Sequence, residues 1–415
     1  MRKKSTEGRR SFLKKGAFGL AGLAVLPSVL TRDSRAQTGE ASAVTDTTRV
    51  AKKHALMTRT LGRTGLTLPI LSIGAMTTDN PEVLKAALEA GIVHIDTAHA
   101  YQRGRNEEMI GEIVKGRPRD SFVIATKVSG PGDSRTGMFT KDATSEMFAE
   151  RFETSLKRLG LDYVDILYIH DVVRKEAVTY EPFLSVLEKL KKEGKTRFIG
   201  VTTHGNEPEV IRAAVESKVH DVVLTAYNFR QPHIKEMDEA MAAAAKAGVG
   251  IVAMKTQAGI YWDRERKNPI NMKAALKWVL RNENVHTAIP GMTTFDQLET
   301  NLSAVEEFSL TPEEKEDLKL GQRMGMLGLY CRQCGTCVSQ CGRNLEIPTL
   351  MRSYMYVYGY RNLAAAKDAM ETVALSRVPC DSCSTCSVNC PMGFDVKGRI
   401  QDVARIQNIP YDFVA

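Results

Sequence analysis

The sequence predicts a closed barrel of eight parallel β-strands and eight α-helices, the (β/α)8 or TIM-barrel class of α/β folds. A mainly α-helical segment carrying two cysteine combs follows it. Three observations predict this. Between residues 57 and 310, eight short apolar runs each precede a stretch of amphipathic spacing. The first of these strands ends IGAMTTDNPE, without the G-x-G-x-x-G turn that an open doubly wound sheet would carry there. All eight cysteines lie after residue 330, in two segments with the same spacing.

In order, LPILSIG reads as the first strand and PEVLKAALEAG as its helix. IVHIDTA and NEEMIGEIVKG form the second unit, SFVIATKV and the long KDATSEMFAERFETSLKRLG the third, DYVDILYIH and YEPFLSVLEKLKKEGK the fourth. TRFIGVTT with NEPEVIRAAVESK, DVVLTAYN with IKEMDEAMAAAAKAG, VGIVAMK with MKAALKWVLRN, and VHTAIPG with TFDQLETNLSAVEEF complete the eight. Strict alternation of strand and helix calls for a parallel sheet with crossover helices, and the span suits a closed barrel. Upstream, RTLGRTGLTL holds turn residues between apolar ones and reads as a hairpin that closes the barrel bottom. The expected organisation is a leader at 1–36, a polar linker at 37–56, the barrel at 57–310 and the cysteine-bearing helical domain at 311–415.

The net charge of +8 does not point to nucleic acid. Residues 1–36 hold nine Lys/Arg and two acids, so seven of the eight net charges belong to the leader. There, RRSFLKKGAFGLAGLAVLPSVL pairs two arginines with an apolar run broken by Gly19, Gly22 and Pro27. That run is too short and interrupted for a membrane span, and no later run approaches one. The leader resembles a twin-arginine export signal, which carries proteins already folded. Cleavage after Ala36 or Ala43, and a periplasmic or otherwise exported mature chain without an integral span, are the expectations. An uncleaved leader holding the chain at the membrane is the alternative.

Barrel active sites gather at the C-terminal ends of the strands. Asp96 and Tyr101 follow strand two, Lys127 ends strand three and His170 ends strand four. Each alone reads as a cap or a rim residue. Together at one mouth they make a proton-donor system. A phenol near pKa 10 is a poor acid at neutral pH, a Lys cation beside it favours the phenolate, a carboxylate orients the Lys, and an imidazole orients a carbonyl.

In this order, GIVHIDTAHAY, ATKV, DYVDILYIHD and AIPGMTTFDQLETNL resemble the aldo-keto reductase family over roughly residues 57–310. The resemblance implies a nicotinamide-dependent reductase of a small carbonyl or alcohol substrate. Tyr101 would be the general acid, Lys127 its tuning cation paired to Asp96, and His170 the carbonyl orienter. For the cofactor, NADP(H) or NAD(H), it points to Thr202 and Thr203 after strand five, Asn228 after strand six, and Gly291, Thr293, Thr294, Gln297 and Asn301 after strand eight. Leu224 stands where the family commonly has Gln, and the cations that usually grip the adenosine phosphate are missing. Helix capping is the alternative reading of the Thr and Gln residues.

Cys331, Cys334, Cys337 and Cys341 follow C-x2-C-x2-C-x3-C; Cys380, Cys383, Cys386 and Cys390 repeat it, with Pro391 next. Disulfides need no such repeat, and zinc sites usually present paired C-x2-C ligands, so two [4Fe–4S] clusters fit the spacing best. Both combs resemble dicluster ferredoxins. The resemblance implies one cluster on Cys331, Cys334, Cys337 and Cys390 and the other on Cys380, Cys383, Cys386 and Cys341. With its long insert IPTLMRSYMYVYGYRNLAAAKDAMETVAL, the segment resembles the α-helical ferredoxin type, and Tyr354, Tyr356, Tyr358 and Tyr360 are expected to pack against the clusters or the barrel. Clusters assembled before export suit a signal for folded cargo. The expected function is an exported iron–sulfur oxidoreductase of aldo-keto reductase type. The alternative is an electron-transfer protein whose barrel is a docking platform and whose clusters serve a redox partner protein.

Overall fold

The computed structural model describes residues 54–413 except 134, 264, 308, 324–330, 332, 372, 374, 376–378 and 382. The leader expected to be a twin-arginine signal, and the linker up to residue 53, lie outside the described residues.

β1 (Thr58–Thr60) and β2 (Thr67–Pro69) pair antiparallel, Thr58 opposite Pro69. Gly65 at φ +71 turns the chain between them. The barrel follows as β3 (Ile73–Gly74), β4 (His94–Asp96), β5 (Val123–Val128), β8 (Val164–Ile169), β9 (Thr196–Thr203), β10 (Val222–Ala226), β11 (Gly250–Met254) and β12 (Thr287–Ala288). A small hairpin, β6 (Gly132–Asp133) and β7 (Met138–Phe139), rises from the loop after β5, outside the eight predicted strand–helix units. The eight strands run in chain order and all pairs are parallel. A parallel bridge between Leu71 and Ala288 joins the first strand to the last and closes the barrel.

Helices alternate with these strands as the periodicity predicts, with shorter strands than the apolar runs. The helix Ser145–Leu159 shows why each forms: Thr144 caps its first turn, Gly160 in the left-handed region ends it, and Phe148, Phe152, Leu156 and Leu159 recur on one buried face. Burying one such side chain is worth about 1.5–3 kcal/mol. Those faces form the outer core between helices and sheet. A second cluster fills the barrel itself, where Leu61, Leu66 and Leu68 of the hairpin segment join Ala125, Ile166, Tyr168, Val222, Leu224 and Val252. The hairpin therefore plugs the bottom. Gly62 permits this approach, because a Cβ there would stand 2.4 Å from the Gly248 carbonyl oxygen.

After the barrel, the helix Pro312–Asp317 opens with a capping box between Thr311 and Glu314. The helix Ile347–Tyr354 runs into a π-turn at Met355–Gly359, and the helices Leu363–Met370 and Val396–Ala404 pack against it. Their apolar core takes in Ala258 and touches Met76 and Phe229, all from barrel-mouth loops. Ile260 N–H donates to Gly359 O at 3.0 Å, and Arg103 pairs with Glu371 at 2.9 Å. The helical domain thus sits over the mouth at which the strand ends converge. Among the described residues no helix is long and apolar enough to cross a membrane.

Candidate functional site

The four residues singled out at the strand ends meet. β4 ends on Asp96 and β5 holds Lys127 one residue before its end; the two are 2% and 1% exposed. Lys127 Nζ donates to Asp96 Oδ1 at 2.5 Å, to Thr97 O at 2.6 Å and to Tyr101 Oη at 3.1 Å. Tyr101 starts a tight turn in which Gln102, Arg103 and Gly104 all take positive φ. Gln102 Nε2 anchors this turn to the carbonyls of Met76 and Thr78, and buried Asn106 ties it to Ala75 O and Thr97 Oγ1. His170 follows β8, its N–H bonded to Val128 O, and its ring meets that of Tyr101 edge-on at 5.9 Å between centroids.

The electrostatics depart from the sequence expectation in one respect. Burial, then the Asp96 and Asp171 carboxylates, pushes the Tyr101 hydroxyl well above its ordinary value. Lys127 does not reverse this, because its charge is compensated by Asp96 at contact distance. Burial also lowers the Lys127 ammonium, against the pull of Asp96. Burial and Lys127 hold the His170 imidazole at about 3, so it is neutral and offers an N–H to a carbonyl oxygen.

Several residues at this mouth carried no signal in the sequence. Asp171, in left-handed backbone at φ +62, makes an ion pair with Arg352 of the helical domain. Burial pushes its carboxyl up, but Arg352, His204 and His170 overcome this and hold it well below the carboxylate range. His204 lies 6.2 Å from His170 between ring centroids. Tyr356, one helical turn beyond Arg352, is pushed up to about 12 by burial, with Arg352 opposing and Asp171 and Tyr101 adding.

These residues line one cavity of about 2080 Å³ between the barrel mouth and the helical domain. Of the positions expected to hold a dinucleotide, Gly291, Thr293, Gln297 and Asn301 line it. Thr202, Thr203, Asn228 and Thr294 do not. The Thr202 hydroxyl oxygen accepts the Asp171 N–H at 2.9 Å and the Thr203 hydroxyl donates to Gly205 O at 2.8 Å, so both brace the loop and His204 faces the cavity instead. Asn228 is fully buried and its Oδ1 accepts from Arg230 N. Thr294 caps the helix Phe295–Glu306. Gln297 Oε1 accepts from Thr293 N, and Asn301 Oδ1 accepts from Gln257 Nε2 at 2.8 Å. Asn301 Nδ2 and Thr256 Oγ1 are buried at the cavity wall without a protein partner. Such groups fit a polar ligand lying along this side.

The thiols of the two combs act on one another through their charges. The Cys331 thiol is pushed up to about 12 by burial and by Cys337, Cys334 and Cys390. The Cys380 thiol rises by burial and by Cys383, Cys386 and Cys341. The charges of the two combs reach one another: Cys331 and Cys337 sense Cys390, and Cys337 and Cys380 sense Cys341. Gln340 holds the combs together, accepting from Ser387 Oγ and Asn389 N at 2.6 Å each. A second cavity of about 200 Å³ adjoins Cys341, Cys380, Cys383 and Cys386. Among the described residues no three His, Cys, Asp or Glu side chains are grouped closely enough to hold a single metal ion. The doubled four-cysteine spacing fits two clusters.

Comparison with known proteins bears on both halves. The Aldo/keto reductase family matches residues 72–274, and a 4Fe-4S dicluster domain matches residues 330–395. The chain is 28% identical over 304 residues to L-galactose dehydrogenase of Arabidopsis thaliana, covering 63% of this chain and 91% of that protein. It is 23% identical to L-glyceraldehyde 3-phosphate reductase of Escherichia coli K12, over 66% of this chain and 94% of that one. Among solved structures, the holo form of an aldo-keto reductase from Bacillus halodurans aligns with a TM-score of 0.53 at 25% identity, over 64% of this chain and 95% of that one.

Proposed function

We propose that this chain, an oxidoreductase built from an aldo/keto reductase domain and a 4Fe-4S dicluster domain, interconverts a small carbonyl compound and its alcohol. Tyr101 donates or accepts the proton, Lys127 and Asp96 hold its hydroxyl in place, and His170 orients the carbonyl. The observation that carries the reading is the convergence of Lys127 Nζ, Tyr101 Oη and the neutral His170 ring at one cavity. A bound nicotinamide, NADP(H) or NAD(H), supplies or takes up the hydride. Gly291, Thr293, Gln297, Asn301 and Thr256 are the groups that would hold it. The named relatives act on a sugar and a triose phosphate, so small polyhydroxylated carbonyls are the first class to try. The test is steady-state turnover of a carbonyl panel under argon with NADPH, NADH or a reduced one-electron dye. Turnover with a nicotinamide is expected. Turnover with the dye alone would replace this reading by that of an electron-transfer protein.

The clusters are proposed as two [4Fe–4S] centres, one on Cys331, Cys334, Cys337 and Cys390, the other on Cys380, Cys383, Cys386 and Cys341. They would exchange single electrons with a redox partner protein, and Cys386, the most exposed of the eight, marks the outward cluster. The chain should carry about eight irons and eight sulfides. Cys390→Ser is expected to halve the iron and remove the cluster on the first comb, since the crossed ligand sets give Cys390 to that comb. Loss of the second comb's cluster instead would refute the crossing.

Export through the twin-arginine route is proposed from the paired Arg9 and Arg10 ahead of Ser11-Phe12-Leu13-Lys14. Changing both arginines to Lys should leave a cluster-loaded precursor in the cytoplasm. Unchanged appearance outside the inner membrane would rule the route out.

A further inference from the structure

The segment after β12, residues 291–301, contains neither Lys nor Arg, yet it lines the large cavity at Gly291, Thr293, Gln297 and Asn301. The helical domain brings a cation to the same cavity. Arg361 stands between the π-turn Met355–Gly359 and the helix Leu363–Met370, in left-handed backbone at φ +57. Bonds on either side fix this conformation: Tyr360 N–H donates to Met355 O, Asn362 N–H donates to Tyr356 O at 2.9 Å, and Asn362 Oδ1 caps the helix by accepting from Ala365 N. Such backbone is strained for a residue that carries a side chain. Arg361 Nε and Nη2 are shielded from solvent and have no hydrogen-bond partner among the described residues. Buried donors left unmade are costly. Burial, then the Arg266 charge, lowers the Arg361 guanidinium from its ordinary value, with Tyr261, Tyr358 and Asp263 opposing. Asp263 is already engaged, its two carboxylate oxygens accepting from Lys267 N and Asn268 N.

The loop after β11 adjoins Arg361: Ile260 N–H donates to Gly359 O, and the guanidinium carbon lies 5.8 Å from the centroid of the Tyr261 ring. The same loop carries Thr256 and Gln257, and Gln257 Nε2 donates to Asn301 Oδ1 at 2.8 Å. Thr256 and Asn301 are each 1% exposed, and Thr256 Oγ1 and Asn301 Nδ2 lack a hydrogen-bond partner among the described residues. One side of the cavity therefore presents orphaned polar atoms from the loop after β11, from the helix after β12 and from the helical domain.

We propose that Arg361 binds a phosphoryl group of the nicotinamide dinucleotide, so that the cluster domain supplies the cation that the segment after β12 lacks. This rests on the reading of the cavity as a nicotinamide site and adds a residue to it. Nε and Nη2 form one edge of the planar guanidinium, the fork that matches two oxygens of a phosphate. The first turn of the helix Leu363–Met370 lines the cavity next to Arg361, and its dipole favours the same charge. Sites for drug-sized ligands hold roughly 300–1,000 Å³. At about 2080 Å³ this cavity has room for a dinucleotide beside a small carbonyl compound.

The experiment is titration calorimetry of the cluster-loaded chain under argon with NADPH and NADH, together with the thermal midpoint of the unliganded protein. Arg361→Gly removes the donors and suits the left-handed backbone, so the midpoint should hold. Dinucleotide affinity should fall roughly 10–100-fold, the loss of one bidentate charge-assisted contact. Arg361→Lys keeps the charge without the fork and should lose part of that affinity. An equal fall for both dinucleotides places the contact on the diphosphate, and a fall for NADPH alone places it on the 2′-phosphate; either sustains the proposal. Unchanged affinity in Arg361→Gly overturns it, as does affinity that falls only in step with the midpoint, which would make Arg361 a packing residue. A wild-type chain that binds neither dinucleotide overturns it too. So does a fall in the affinity for glyceraldehyde 3-phosphate relative to glyceraldehyde with both dinucleotides unaffected, which would assign Arg361 to the substrate. Dinucleotide binding that depends on Arg361 without carbonyl turnover would sustain the contact and sink the carbonyl reading. Carbonyl turnover with NADPH at an affinity independent of Arg361 would do the reverse.

Discussion

Tyr101→Phe is expected to lower carbonyl turnover by on the order of 10²–10⁴, with substrate affinity nearly unchanged. The substitution keeps the ring that meets His170 edge-on and removes the one hydroxyl that Lys127 Nζ contacts at 3.1 Å. The pH profile distinguishes a proton donor from a packing residue. Burial and the two carboxylates hold the phenol above its ordinary value near 10, and the His170 imidazole stays neutral down to about 3. The donor is thus protonated throughout the neutral range. Reduction of a neutral carbonyl should therefore run without loss from pH 6 to about pH 9. Alcohol oxidation, which needs the phenolate, should rise with pH over the same interval. In Tyr101→Phe that rise should disappear. A variant with full turnover and an intact alkaline rise would assign the proton to another group.

The barrel was legible because a half-buried helix and a buried strand leave different periods in the sequence, and eight repetitions leave few topologies. Asp96, Lys127 and His170 were legible for the same reason: each stands at a strand end, and a closed parallel sheet brings all such ends to one rim. The dinucleotide positions were less so. Thr202 and Thr203 stand at the corresponding strand end, yet the Thr202 hydroxyl is taken by the Asp171 N–H and the cavity meets His204. Which end residue faces inward depends on where the strand stops pairing, and residue types alone do not mark that point. Arg352 and Tyr356 were beyond reach for a different reason. They arrive at the site from over 180 residues downstream of His170, through a domain contact with no local signature. The same contact brings Asp171 its partner. Burial, likewise a tertiary property, reverses the direction expected for the phenol.

Lys127→Met should destabilise the barrel by about 3–5 kcal/mol, besides abolishing most turnover, because it leaves a charged partner buried alone. Asp96 is 2% exposed, its Oδ2 already has no hydrogen-bond partner, and Lys127 supplies the bond to Oδ1 as well as one to Thr97 O. Met matches the length of the stem but donates nothing. The cost should depend on pH. Burial already raises the Asp96 carboxyl, with the Lys127 charge and hydrogen bond opposing, so removing Lys127 raises it further. A carboxyl whose folded value exceeds its unfolded value near 3.9 binds more protons when folded, and its stabilising protonation is lost as pH rises. The deficit in Lys127→Met should be smallest near pH 4 and grow toward pH 7. Asp96→Asn added to Lys127→Met removes the stranded charge and should restore much of the thermal midpoint, measured under argon with clusters loaded, without restoring turnover. Stability recovered together with activity would mean that the pair only shapes the site. A Lys127→Met deficit independent of pH and unrelieved by Asp96→Asn would mean that Lys127 contributes by packing rather than by charge.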